Sequence, residues 1–147
     1  FAILRLANVY GPGCRPNYNS VVATLCHRAA HGLPLMINGD GRQGRDFVYV
    51  DDVVWAFTLA GLGSMSVSGK VFNVSSGRMI SIKQIVEKIC QKYKKTKVEF
   101  LIDKKTSETS YCCDSSKFSR KYNWRPQVPF SRGINQTLSY YRRKTKT

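Results

Sequence analysis

The sequence predicts an α/β protein in which short apolar strands alternate with amphipathic helices. Two runs rich in β-branched and aromatic residues, 1–10 and 71–74, have the length and composition of strands. Between such runs, apolar residues recur at helical spacing, most clearly from Ile82 to Tyr93. Alternating strands and helices are typical of a sheet that is covered by helices.

In the first half of the chain, the residues predict three strands and two helices. The segment 1–10 has the composition of a strand buried on both faces, and Gly11 ends it. A helix that Asn19 or Ser20 caps comes next and stops at Gly32. The remaining expectations are a strand over 33–37, a turn over 38–41, a strand over 47–50, and a helix that Asp51 or Asp52 caps and that the glycines at 61 and 63 end.

The second half contains the clearest helix of the sequence. Ser81 and Gln84 have the spacing of a capping box, and the apolar face from Ile82 to Tyr93 follows directly. The other predicted elements are a strand over 98–102, a short helix near Asp114, a last helix from Ser131 to Tyr141, and a frayed basic tail over 142–147.

Composition limits the classes of function. The chain carries 24 Lys and Arg against 9 Asp and Glu, a formal charge of +15, which indicates either a phosphate-binding surface or a solvated basic face. Five irregularly spaced cysteines argue against a disulfide framework and favour a cytoplasmic protein. Membrane association is not expected, because no apolar run reaches 18 residues. A start at Phe1, inside a predicted strand, suggests a fragment.

Several common chemical motifs are missing from the sequence. No G-x-G-x-x-G joins a predicted strand to a predicted helix, since the copy at 39–44 lies between two predicted strands, and G-x-x-x-x-G-K-[ST] does not occur, so no phosphate loop is predicted. His27 and His31 have the spacing of metal ligands on a helix but no third ligand nearby, so no metal site is expected. Cys112 and Cys113 are adjacent, which makes chelation by the pair improbable.

Two polar positions stand out against their apolar surroundings. Asn8 ends an apolar strand before a Gly-Pro turn, the edge at which open α/β sheets bind ligands. An Asx-type turn closed by Asn8 is the alternative. Arg45 follows a glycine-rich turn and precedes an aromatic strand, where its guanidinium could grip a phosphate. The alternative for Arg45 is a salt bridge to Asp46, Asp51 or Asp52.

The motifs together resemble the NAD-dependent sugar-nucleotide epimerase/dehydratase family, the extended branch of the short-chain dehydrogenases. The resemblance covers only the C-terminal portion of the family pattern. It therefore implies a Rossmann-like fold, with residues 1–141 forming the substrate-binding portion and the strands near 1–10 and 71–75 belonging to the sheet of the NAD domain. The matching segments are Arg5–Gly13, Gly32–Leu35, Gly39–Val53, Val71–Gly77, Ser81, Asp114–Lys117 and Trp124–Pro126.

The resemblance also implies site residues. Asn8 matches an asparagine that contacts the nucleotide-sugar, and Arg45 matches an arginine that grips its diphosphate. Leu35, Met36 and Ile37 match the strand that lies along the nucleotide base. Tyr111 matches a residue that faces the sugar. Lys104 stands where a second diphosphate arginine is usual, and lysine keeps the charge but loses the planar fork.

The family's NAD loop and its Tyr-x-x-x-Lys pair belong to the part of the pattern that precedes Phe1. The resemblance therefore predicts no catalytic residue here, NAD bound mainly outside this chain, and a homodimer for the complete enzyme. We expect a nucleotide-diphosphate sugar as ligand and no nucleic acid. Two alternatives stay open: a non-catalytic basic module that binds nucleic acid or another polyanion, and an inactive relic of the enzyme.

Overall fold

A computed structural model describes residues 1–18, 20–62, 69–101 and 110–144. Strands and helices alternate along these residues, as the sequence predicts. The elements are β1 (Ala2–Leu6), β2 (Asn8–Tyr10), α1 (Val21–Ala30), β3 (Leu35–Asn38), β4 (Gly44–Tyr49), α2 (Val50–Leu62), β5 (Lys70–Val74), β6 (Met79–Ser81), α3 (Ile82–Lys92), β7 (Val98–Leu101), α4 (Ser116–Tyr122) and α5 (Phe130–Lys144).

The first predicted strand is in fact two strands in different sheets. β1 pairs in parallel with β5, and β2 pairs in parallel with β4, so the chain changes sheet at Ala7. The prediction that residues 1–10 are buried on both faces is wrong. Ile3 and Leu6, whose side chains point to opposite faces of the strand, are 46% and 40% exposed, and in the described residues β1 has β5 as its strand partner.

β4 is the central strand of a mixed sheet with the order β2-β4-β6. It begins at Gly44, three residues before the predicted start, because its first residues pair antiparallel with β6. The sequence did not predict β6, which is only three residues long. A separate parallel pair joins β3 to β7. Strand β3 runs to Asn38, and β7 covers the described part of the predicted strand over 98–102.

Two helices begin at the residues that the sequence predicts. The Ser20 side chain accepts a hydrogen bond from the Ala23 amide at the start of α1, and Gly32 follows the end of that helix with φ 68°. At α3, Ser81 and Gln84 form both hydrogen bonds of the capping box. Helices that carry their own caps are specified locally, so their limits follow from the sequence.

The start of α2 differs from the prediction. The helix begins at Val50, so Asp51 and Asp52 lie in its first turn and neither is its N-cap. The Asp52 carboxylate instead accepts hydrogen bonds from the backbone of a distant segment, at Gln127 (2.8 Å) and Val128 (3.2 Å). Gly61 does not end the helix but lies within it, and Gly63 lies outside the described residues.

The last helix is longer than predicted. α5 begins at Phe130 and continues through Lys144, so residues 142–144 are not a frayed tail; residues 145–147 lie outside the described part. Arg142, Arg143 and Lys144 form its last turn, where positive side chains interact favourably with the helix dipole. The short helix near Asp114 begins at Ser116, whose amide donates to the Asp114 carboxylate.

Two apolar cores hold these elements together. One lies among α1, α3, α5 and strands β2, β3 and β4, and it contains the buried rings of Tyr10, Phe47 and Tyr49. The other lies among α2, α4 and the β1–β5 pair, around Phe118 and Trp124. Side chains of β4 enter both cores, because Phe47 belongs to the first and Val48 to the second. This strand therefore fixes the two parts of the molecule relative to each other.

Within the described residues, no helix combines the length and hydropathy that a membrane span requires. The same residues contain no group of three His, Cys, Asp or Glu side chains that could hold a metal ion. His27 and His31 stack with their ring centroids 4.1 Å apart. All five cysteines are free thiols.

Candidate functional site

The predicted site residues Asn8 and Arg45 lie on neighbouring strands. Asn8 is opposite Phe47 in the parallel pairing of β2 with β4. Its Nδ2 donates to the backbone oxygen of Asp46 (2.9 Å) and to the hydroxyl of Tyr111 (3.1 Å). Both bonds join Asn8 to residues that are distant in the sequence, so this amide helps to hold the cluster together, and its contact with a ligand stays a prediction.

Tyr111 reaches the same place from a distant part of the sequence. Its amide donates to the backbone oxygen of Gly44 (3.4 Å), which places residues 110–111 beside the start of β4. The Arg45 guanidinium carbon lies 4.9 Å from the centroid of the Tyr111 ring, within the range of a cation–π interaction. Arg45 Nη1 also donates to the Gly44 oxygen (2.8 Å). Asn8, Arg45 and Tyr111 therefore form one cluster at the surface.

The carboxylates of Asp46 and Asp52, two of the three predicted salt-bridge partners of Arg45, are engaged elsewhere. Asp46 is fully buried and accepts hydrogen bonds from Ser76, Gly77 and the Cys112–Cys113 segment. Asp52 is also buried and accepts the two backbone bonds described above. The third, Asp51, is an exposed residue in the first turn of α2.

The base-binding strand is only partly available to a ligand. Leu35 and Ile37 are core side chains, 0% and 2% exposed, so only their backbone is placed to line a ligand, and the role of this strand at the base stays a prediction. They point inward because β3 packs one face on α1, which leaves only Met36 of the three exposed. Lys104, the other predicted site residue, lies outside the described residues.

The sequence did not predict that Asp46 and the Cys112 thiol lie together beneath the candidate site. Cys112 Sγ lies 3.4 Å from Asp46 Oδ2. Desolvation and this hydrogen bond raise the pKa of the Cys112 thiol, and the negative charge of Asp46 acts in the same direction. The sequence does give one indication of a buried carboxylate, because the charged residue Asp46 directly precedes the apolar run Phe47–Val50. A carboxylate next to a buried strand requires partners, but the sequence did not indicate which.

With this geometry described, comparison with known proteins identifies the family. The NAD dependent epimerase/dehydratase family matches residues 1–75, about half of the chain and all of the segments that carry Asn8 and Arg45. The chain belongs to this family. The resemblance drawn from the sequence motifs is therefore confirmed.

Curated relatives match almost the whole chain. Human dTDP-D-glucose 4,6-dehydratase is 32% identical over an alignment of 149 positions that covers 95% of this chain and 41% of that protein. A UDP-glucuronate 4-epimerase from Thermodesulfobacterium geofontis is also 32% identical, over 142 residues, covering 95% of this chain and 42% of that protein. The chain thus spans less than half the length of these relatives and corresponds to their C-terminal part.

Solved structures confirm the predicted fold class. UDP-glucose 4-epimerase from Thermotoga maritima, solved with UDP-glucose, superposes with a TM-score of 0.87 and 35% identity over 99% of this chain and 47% of that one. UDP-glucuronic acid 4-epimerase from Bacillus cereus, solved with UDP-glucuronic acid and NAD, gives a TM-score of 0.86 and 29% identity, covering 97% of this chain and 45% of that one. The α/β fold is therefore that of the extended short-chain dehydrogenases.

Proposed function

We propose that Asn8, Arg45 and Tyr111 bind a nucleotide-diphosphate sugar as part of an NAD-dependent sugar-nucleotide epimerase or dehydratase. The observation that carries this proposal is the convergence of the three side chains. Tyr111 is 103 residues from Asn8 in the sequence, yet its hydroxyl accepts a hydrogen bond from the Asn8 amide. The proposal is supported by the two solved relatives, which were determined with UDP-glucose and UDP-glucuronic acid.

In the proposed complex, Arg45 binds the diphosphate. A guanidinium presents several N–H donors in one plane, which suits phosphate oxygens, and such charge-assisted bonds are stronger than neutral ones. The Tyr111 ring and the Gly44 oxygen hold that plane in a fixed orientation. A prepositioned side chain loses less conformational entropy when it binds, so this arrangement favours affinity. Asn8 and the Tyr111 hydroxyl then face the sugar, and Met36 lies along the base.

We propose that the described residues do not by themselves form a site for NAD. A dinucleotide is normally held by a glycine-rich turn between a strand and a helix. In the described residues, the G-x-G-x-x-G spacing at 39–44 lies between β3 and β4, which are both strands. The link from β2 to α1 carries Gly11 and Gly13 without this spacing, and β4 leads into α2 with no glycine between them. We propose that NAD is bound mainly by polypeptide outside these 147 residues, and we derive no hydride-transfer step from this chain.

We also propose that the catalytic residues lie outside the chain. The spacing Tyr-x-x-x-Lys occurs at Tyr93–Lys97 and Tyr140–Lys144. Tyr93 follows the last residue of α3, and its hydroxyl is buried. Lys144 lies 5.1 Å above the Tyr140 ring, as an ordinary neighbour on α5. Neither pair lies on the segments that carry Asn8, Arg45 or Tyr111. The 147-residue chain alone should therefore show no turnover of a nucleotide-sugar with added NAD.

Exposed apolar side chains support the idea of a larger complete protein. Ile3 on β1 is 46% exposed, and Trp55 and Phe57 on α2 are 50% and 52% exposed. Large apolar groups at the surface favour coverage by further polypeptide. We propose that the remaining part of the enzyme, or a second subunit of a homodimer, packs on these elements. A cytoplasmic location remains a prediction that rests on the free thiols.

Calorimetric titration tests the proposed function. UDP, UDP-glucose and dTDP-glucose are titrated into the purified protein at two salt concentrations, together with a random-sequence RNA. We expect saturable binding of a nucleotide-sugar with one site per chain. Binding of RNA alone, with an affinity that collapses as salt rises, would instead favour the basic polyanion-binding module. Retention of nucleotide-sugar binding without turnover is the result expected for the chain alone.

A further inference from the structure

A buried carboxylate lies directly beneath the candidate site. Asp46 is 0% exposed, and its two oxygens accept five hydrogen bonds. Oδ1 accepts from the Ser76 amide (2.9 Å) and hydroxyl (2.7 Å). Oδ2 accepts from the amides of Gly77 (3.0 Å) and Cys113 (3.3 Å) and from the Cys112 thiol (3.4 Å). One side chain thus joins β4 to two segments that are distant in sequence.

The segment that carries Tyr111 has no regular secondary structure of its own. Residues 110–115 precede α4 and are held by contacts with other elements. The Gly44 amide donates to the Ser110 hydroxyl (2.8 Å), and the Ser75 hydroxyl donates to the Cys113 oxygen (2.9 Å). Between these two anchors, the bonds from Cys112 and Cys113 to Asp46 hold the two residues that follow Tyr111.

We propose that Asp46 is the positioning residue of the site: its carboxylate fixes the Tyr111 segment and thereby sets where the Tyr111 ring meets Asn8 and Arg45. The expected effect on ligand binding rests on the proposed function, whereas the expected effect on the position of Tyr111 does not. Asp46 does not face the ligand, because its side chain is buried. The Asp46 backbone oxygen accepts a hydrogen bond from the Asn8 side-chain amide, and Arg45 is the preceding residue, so both side chains that contact Tyr111 adjoin Asp46.

The substitution Asp46→Asn isolates the role of the carboxylate. An amide has nearly the same shape, but it replaces one acceptor oxygen with a donor. That donor then faces either the Ser76 groups or the amides of Gly77 and Cys113, which are donors in the same geometry. We expect the Cys112–Cys113 bonds to weaken first, because they are the longest of the five.

Asp52 provides a matched control. It is 3% exposed and likewise accepts backbone amides from a distant segment, at Gln127 and Val128, but that segment leads into α5 and carries none of the candidate site residues. Asp52→Asn should therefore lower the stability to a degree similar to Asp46→Asn without moving Tyr111. The comparison separates loss of stability from loss of positioning.

The first measurement needs no ligand. Tyrosine rings are labelled with ¹³C in the wild type, Asp46→Asn and Asp52→Asn, and the Tyr111 resonances are assigned by their absence in Tyr111→Phe. We expect Asp46→Asn to shift or broaden the Tyr111 ring signals and Asp52→Asn to leave them in place. Unchanged Tyr111 signals in folded Asp46→Asn overturn the proposal. If Asp46→Asn does not fold, Cys112→Ala is used instead, and we expect it to shift the Tyr111 ring signals by a smaller amount. Unchanged Tyr111 signals in folded Cys112→Ala also overturn the proposal.

The second measurement tests the consequence for binding. UDP-glucose is titrated into the wild type and both Asn variants, and into the same set carrying Tyr111→Ala. We expect Asp46→Asn to weaken binding about tenfold, which equals about 1.4 kcal/mol, and to have little effect once Tyr111 is absent. Equal losses in both backgrounds contradict action through Tyr111. If the wild type binds no nucleotide-sugar, the proposed function fails, whereas the ring signals still decide the positioning role.

Discussion

Asp46 and Asp52 are six residues apart, and both place a buried carboxylate against backbone amides from a later part of the chain. Asp52 lies beside a buried ring: the Trp124 indole, which is fully buried, donates to the Asp52 backbone oxygen at 3.2 Å. Around Asp46 the surroundings open to solvent, because the segment that it holds carries Tyr111, which is 43% exposed. Equivalent hydrogen-bonding chemistry therefore supports the core in one region and a half-exposed cluster in the other.

The difference shows where tight packing ends in this molecule. Around Asp52, apolar burial and hydrogen bonds restrain the same segment, so each reinforces the other. Around Asp46, the hydrogen bonds do most of the restraining, since Tyr111 and Cys112 are exposed. We therefore expect substitutions in the interior to act mainly on the free energy of unfolding, and substitutions of the exposed side chains held by Asp46 to act mainly on affinity.

The largest expected effect is that of Gly133→Ala, in the interior. A Cβ at this position would lie 2.3 Å from the Tyr10 hydroxyl and 2.8 Å from its ring. Tyr10 is 1% exposed and packs against Phe47, Tyr49 and Phe130, so its ring has little room to move. Overpacking of this kind lowers the free energy of unfolding by about 3 kcal/mol, part of which better helix propensity offsets. Urea denaturation measures it.

Gly44→Ala is the matched substitution beside the site. The added Cβ would lie 2.5 Å from Cγ of Met79, a flexible side chain that is 55% exposed and can turn away. We expect a loss of less than about 1 kcal/mol. A loss as large as that of Gly133→Ala would show that the region around Asp46 is packed as tightly as the interior.

Arg45→Lys should give the largest loss of affinity. Lysine keeps the charge but loses the planar fork and its stacking on Tyr111, so nucleotide-sugar binding should weaken by about 2–3 kcal/mol. Calorimetry at two salt concentrations measures the change, and thermal unfolding shows whether stability stays near that of the wild type. Lys104→Ala serves as the comparison and should weaken binding less. Equal affinities of wild type and Arg45→Lys would remove Arg45 from the site.

Tyr111→Phe should have a smaller effect. The variant keeps the ring beneath Arg45 but removes the hydroxyl that accepts from Asn8. Loss of one neutral hydrogen bond corresponds to about 1 kcal/mol, or about a fivefold weaker affinity for UDP-glucose. Tyr18→Phe is the control, because Tyr18 is 70% exposed and belongs to neither core. An unchanged affinity in Tyr111→Phe would mean that the ring alone matters.

The smallest effect concerns the reactivity of Cys112. Burial and Asp46 raise the pKa of this thiol, so the reactive thiolate forms at higher pH than in an ordinary cysteine. Removing the carboxylate in Asp46→Asn lowers that pKa, and alkylation by iodoacetamide at a fixed pH near neutrality should become faster. Peptide mass spectrometry gives the rate, with the fully buried Cys26 as a reporter of unfolding. A rate that falls, or one that rises equally at Cys26, contradicts this expectation.

Features that depend on neighbouring residues were predictable from the sequence. The caps of α1 and α3 join residues within three positions of each other, so the residue types alone specify where those helices begin. The family motifs likewise identified Asn8, Arg45 and Tyr111 as candidates. In contrast, the start of α2 was not predictable, because Asp52 binds amides 75 and 76 residues away instead of its own helix.

The alternation of strands and helices, the family, and the residue types of the candidate site follow from the amino-acid sequence alone. The division of residues 1–10 between two sheets, the inward orientation of Leu35 and Ile37 but not of Met36, and the hydrogen bonds from Asp46 to the Tyr111 segment depend on the folded chain. The reason is physical. A helix cap is satisfied within one turn, whereas a buried carboxylate takes whichever donors the fold brings to it, and at Asp46 those donors come from 30 to 67 residues away.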